Sequence, residues 1–147
     1  MITLRRSSHF RKPITEEQRE AIGRAIDAII KPDGLTREDI DSRPKPANLS
    51  HIRHICAYVA VCLTGDDVNY RDIASVVCRA RSSMHYAVAS GRSLYLSNKT
   101  YRQMVDCRIQ VLPFADRQRI AAELHVDALE YDEAKKNRKN NVNKILR

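Results

Sequence analysis

The feature that most constrains this chain is the return of apolar residues every three or four positions, with no segment alternating convincingly at period two. Ile22, Ile26, Ile29 and Ile30 share one face, and further on Ile52, Ile55, Cys56, Val59 and Leu63 do the same. A spacing near 3.6 gathers such residues on one side of a helix, whereas a half-buried strand needs strict alternation. The expected fold is therefore all-α. A length of 147 residues suits one small helical domain with extended ends. With only 5% aromatic residues, its core must be mostly aliphatic.

Local signals divide the helices. Thr15 and Gln18 have the spacing of a capping box, Ile14 can staple the entry, and Pro32, Asp33 and Gly34 end the first helix. Thr36 caps a short helix through Ile40, and Ser42 to Asn48, with Pro44 and Pro46, reads as a loop. A helix beginning at Ser50 stops at Gly65. Asn69 caps a short helix with Ile73, Val76 and Val77 inward. After a break near Cys78 to Arg81, Ser82 or Ser83 caps a longer helix carrying Met84, Ala87, Val88, Gly91 and Tyr95 on one side. A further helix runs from about Lys99 to Leu112, and beyond Pro113 comes one striped by Ile120, Leu124, Ala128 and Tyr131. The expected plan is a basic arm at 1–13, a helical domain at 14–112, a C-terminal helix at 113–136 and a frayed basic tail at 137–147.

Charge narrows the partners. Lysine and arginine number 26 against 18 acids, a net charge of +8, and the excess collects at the ends. Arg5, Arg6, Arg11 and Lys12 stand in an acid-free N-terminal stretch, and Lys135, Lys136, Arg138, Lys139, Lys144 and Arg147 in an acid-free C-terminal one. Such a distribution favours a polyanion. The four cysteines never come closer than six apart and the five histidines are dispersed, so neither a metal site nor a catalytic constellation is expected. Four scattered glycines make no phosphate-binding loop, so no nucleotide cofactor is expected either. With neither a signal peptide nor an apolar run of membrane length, the expected setting is the cytoplasm.

The stretch 69–95, a short helix, a tight break and a longer amphipathic helix, has the grammar of a helix-turn-helix. In that motif the second helix enters the major groove of duplex DNA and offers its N-terminal residues to base edges. At 100° per residue Met84, Val88 and Gly91 face inward, leaving Ser82, Ser83, Tyr86 and Ser90 outside and His85 at the margin. Arg79 and Arg81 stand just before this helix, where a guanidinium can pair with guanine or hold phosphate. The bland alternative is that the serines only cap and the arginines are solvated.

On these residues the chain resembles the C-terminal DNA-binding domain of the DnaA family of replication initiators, whose fold is related to the Trp repressor. SHIRHICAYVAVCL is similar to that family's arginine-bearing central helix, DDVNYRDIASVV to its short following helix, and RARSSMHYAV to its signature. The resemblance spans roughly residues 21–96. It implies base reading by Ser82 and Ser83, which fall on the family's threonines, and by Arg79 and Arg81, on its arginine and histidine. It further implies phosphate contacts from Arg53 and His54 and a minor-groove loop carrying Arg43 and Lys45. Cys78 and Ala80 depart from the family's glycine and aspartate, so its particular DNA site does not carry over. The expected function is that of a sequence-specific double-stranded DNA-binding regulator of transcription or replication, bacterial or phage-type and nucleoid-associated, without the family's ATPase module. The competing reading is an interaction or adaptor module working through the C-terminal helix, where a homodimer is one arrangement.

Overall fold

Thr15 opens the fold through the capping box its sequence spells: its Oγ1 accepts from the Gln18 N–H at 3.1 Å, and Gln18 Oε1 accepts from the Thr15 N–H at 2.9 Å. The computed structural model describes residues 12–41, 47–65, 68–77 and 81–146, without the side chains at 41, 47–48, 81–82 and 142–146. The capped helix is α1, Glu16–Ile30, followed by a 3-10 turn, Lys31–Asp33. Then come α2 (Arg37–Asp41), α3 (Ala47–Thr64), α4 (Tyr70–Val77), α5 (Arg81–Ser97) and α6 (Lys99–Arg108). A second 3-10 turn, Ile109–Val111, leads into α7, Phe114–Leu146. The fold is all-α, with no strand among the described residues.

α3 is the centre. Every residue from Ile52 to Leu63 is buried, including those off the apolar stripe, as befits a helix covered all round. α1, α4, α5 and α7 pack against it. Gly65, at φ 89°, ends it by turning left-handed while its N–H reaches the Val61 carbonyl at 2.8 Å. α5 crosses α3 at Gly91, where a Cβ would overlap the His54 carbonyl and stand 2.9 Å from Tyr58 Cβ. Only a glycine admits that approach. Beside the crossing, Tyr58 donates its hydroxyl to Asp127 at 2.5 Å, and burial pushes its phenol well above the usual tyrosine range.

Two long-range ties close the far side. Arg108 donates to the Ile29 carbonyl at 2.6 Å and makes a two-pronged pair with Asp33 at 2.8 and 2.9 Å, which lowers that carboxyl from its ordinary value. Arg24 of α1 meets the buried Asp116 of α7 at 2.8 Å. Ile120 and Leu124 are buried, and Ala128 and Tyr131 pack at the edge of the core. The first half of α7 therefore braces its own chain.

Three boundaries differ from the sequence plan. α7 continues as a single helix through the expected tail to Leu146, because nothing after Pro113 is glycine or proline. Its 33 residues span about 50 Å, and residues 132–141 are all exposed. α3 begins at Ala47, inside the expected loop. At the other end Lys12 and Pro13 belong to the folded part: Lys12 bridges to Val68, the Asn69 N–H reaches the Lys12 carbonyl at 2.9 Å, and the Ile14 N–H reaches Asp72 Oδ2 at 3.1 Å.

Candidate nucleic-acid interface

α4 and α5 are held at the surface by their inner faces. Ile73, Ala74, Val76 and Val77 of α4 are buried, as are Met84, Ala87 and Gly91 of α5. Three residues, 78–80, separate the two helices. α5 starts at Arg81, so Ser82 and Ser83 lie in its first turn, where the sequence reading had one of them as the cap before it. Ser83 is half-buried, His85 is exposed, and Tyr86 is 67% exposed. Tyr86 stands edge-on to His54, with ring centroids 5.4 Å apart at 89°, and its outward ring is thereby propped from below.

Asn69 caps α4 by accepting from the Arg71 N–H at 3.0 Å. Tyr70 then lays its ring on His85 of α5, 4.6 Å between centroids. The start of α4 and the first turns of α5 thus form one surface, with Arg71 exposed beside it. Arg71 and Tyr70 are candidate site residues that the sequence reading passed over. The signal was present in an asparagine cap followed at once by an aromatic and a cation, at the positive end of a helix.

Charge is distributed asymmetrically along α5, which itself contains no acid. Arg92, in its second half, is met by α7 through Asp127 at 3.4 Å and Glu130 at 3.9 Å. Near its first turns the nearby acid of α4, Asp72, accepts the Ile14 N–H. Asp66 and Asp67 lie outside the described residues. The second half of α5 is thus tied to α7 through Arg92, while the helix itself offers no acid to its outer side.

Not every expected contact stands at this surface. Arg53 is 3% exposed, with its guanidinium turned onto the Ile40 carbonyl through Nε, at 2.7 Å, and Nη2. It holds the last turn of α2 against α3, so a phosphate role is corrected to a structural one: the buried carbonyl draws the charge inward. His54 is 7% exposed, and its Nδ1 shares a hydrogen bond of 2.9 Å with Ser90 Oγ. It too supports α5 from beneath, and it draws Ser90 inward with it. Arg79, Arg43 and Lys45 lie outside the described residues, and of Arg81 and Ser82 only the place in the helix is described.

Elsewhere, a cleft of about 460 Å³ lies between α3, α5 and α7, lined by Tyr58, Cys62, His85, Arg92 and Asp127. Within it Asp127 takes both Tyr58 and Arg92. Among the described residues no group of three metal-ligating side chains converges, and no helix is long and apolar enough to cross a membrane. No family model, curated protein or solved structure matches the chain.

Proposed function

We propose that the protein binds double-stranded DNA in a sequence-specific manner, reading the major groove with the first turns of α5. The observation that carries this reading is the two-sided character of α5. Met84, Ala87 and Gly91 fix its inner side on α3, while Ser83, His85 and Tyr86 stand on an acid-free outer side. A helix so held, preceded by a short helix and a three-residue break, is the arrangement that inserts side chains between the groove walls. Arg79, Arg81, Ser82, Ser83 and Tyr86 are the base-reading set. Arg71 at the start of α4 positions the duplex through its phosphates, with Arg43 and Lys45, in the stretch before α3, on the phosphates or the minor groove. The resemblance to the initiator domain adds support for a regulator of transcription or replication.

The test is selection of bound sequences from a random duplex pool, followed by a salt titration on the enriched sequence. An enriched motif and an affinity that falls steeply with salt are expected. Absence of binding to any duplex at low salt overturns the proposal. A second reading draws on Val126 and Leu129, 48% and 53% exposed and three residues apart on the solvent side of α7. They make a narrow apolar strip on which a partner protein or a second copy can dock.

A further inference from the structure

Most arginines of α1 to α5 with described side chains are taken up by the protein itself. Arg24 meets Asp116 at 2.8 Å, Arg37 meets Asp27 at 3.3 Å, Arg92 meets Asp127 at 3.4 Å, and Arg53 gives its guanidinium to the Ile40 carbonyl. Among the described residues Arg19 and Arg71 meet no carboxylate. Arg19 of α1 instead reaches across to α4, its Nη1 donating to Ser75 Oγ at 3.0 Å. That hydroxyl gives its own proton to the Asp72 carbonyl at 2.6 Å, so only its lone pairs are left for Arg19, and they fix where the guanidinium sits. A hydroxyl takes one of the five N–H groups and none of the charge. Arg71 and Ser75 are both exposed and four residues apart, which puts them on one face of α4, about 6 Å apart along its axis. Two guanidiniums that no acid neutralises thus serve the outward face of α4, the helix whose Tyr70 lies on His85 of α5.

We infer that Arg19 is a phosphate contact of the duplex that α5 reads, and that with Arg71 it holds one strand of the sugar–phosphate backbone across the outward face of α4. The inference rests on the proposed function and deepens it, adding a residue of α1 that lies outside the two helices of the motif. The helix before a recognition helix crosses the DNA backbone, so its outward face is where phosphates pass. Arginine suits such a place, since its planar fork pairs with phosphate in two-pronged fashion. A guanidinium already steered by Ser75 also loses less freedom on binding than one that sweeps through solvent. Two acids bound the contact. Asp72 is turned to the Ile14 N–H, while Glu20 lines the same shallow cleft as Arg19 and Ser75 and repels an anion from the α1 side. The strand is thereby directed to the Arg71 side of Ser75.

The test compares the full chain with Arg19→Gln and Arg19→Lys on a mixed-sequence duplex of about three helical turns. Arg19→Gln removes the charge. It should bind about three- to tenfold weaker at low salt, with a slope of log affinity against log salt shallower by about 0.9, one phosphate contact's worth. Arg19→Lys keeps the charge and should keep the parental slope. Melting curves of both variants read the tie to Ser75 separately from the contact with DNA. Parental affinity and slope in Arg19→Gln overturn the inference while the proposed function stands. Equal weakening in both variants, with a parental slope and a matching loss of melting temperature, makes Arg19 a tie between α1 and α4 and overturns it too. If the full chain binds no duplex at low salt, the proposed function and the inference fall together.

Discussion

α3 and α5 each carry a cluster of polar side chains beside their apolar faces, and the two clusters have opposite fates. On α3, Arg53 and His54 turn inward, one to the Ile40 carbonyl and the other to Ser90. On α5, His85 and Tyr86 stay outside. The difference follows from position. A helix surrounded by five others has no solvent side over its buried length, so its polar groups there must find partners within the protein, whereas a helix covered on one side keeps its polar groups for something else. A basic residue on a central helix is therefore a poor guide to a binding surface.

The comparison breaks if the two clusters respond alike to substitution. Gly91→Ala, at the crossing that joins the helices, should have the largest effect. Its new Cβ meets backbone rather than a movable side chain, and a loss on the order of 4 kcal/mol in chemical denaturation is expected. Arg53→Ala should come next, at about 3 kcal/mol, from an unpaired buried carbonyl and lost packing. Its duplex preference, measured where it is still folded, should be that of the parent. A change of preferred sequence with unaltered stability would return Arg53 to the interface.

Tyr86→Ala should reverse that pattern. A ring so exposed contributes little to the core, so its melting curve should stay within about 1 kcal/mol of the parent. Discrimination between enriched and random duplexes should fall by about 1 to 2 kcal/mol. Smallest is Arg71→Ala, which should weaken binding to all duplexes by a common factor and shallow the salt slope by about 0.9. Sequence-dependent loss there would mean that the start of α4 reads bases, which sharpens the boundary of the site.

Legibility followed the range of the interaction. The Thr15 and Gln18 box, the stop at Gly65 and the inner faces of α1, α4 and α5 rest on residues within a turn or two of each other, and all could be read from spacing. Arg53 could not, because the carbonyl that captures it lies thirteen residues back in a different helix. The extent of α7 was hidden for another reason: polarity alone suggested fraying past Lys136, while an uninterrupted run of non-breaking residues keeps the helix going. At the proposed interface, the outward position of Tyr86 could be read from periodicity, whereas Ser90, expected outside, is drawn inward by His54 and Ser83 is half-buried. The contribution of Tyr70 and Arg71 depended on α4 and α5 meeting across the break, as the ring contact with His85 shows.

The brace between Arg24 and Asp116, 92 residues apart, bears on how the chain is born. During synthesis the apolar faces of α1 and α3 emerge before Ile120 and Leu124 of α7, which add to the buried core. Until then the nascent protein holds an open isoleucine-rich groove, the kind of surface on which chaperones act and stalled chains aggregate. Core closure therefore waits until α7 has been made. A message truncated before codon 115 would yield a chain with α4 and α5 encoded and its groove still unsealed.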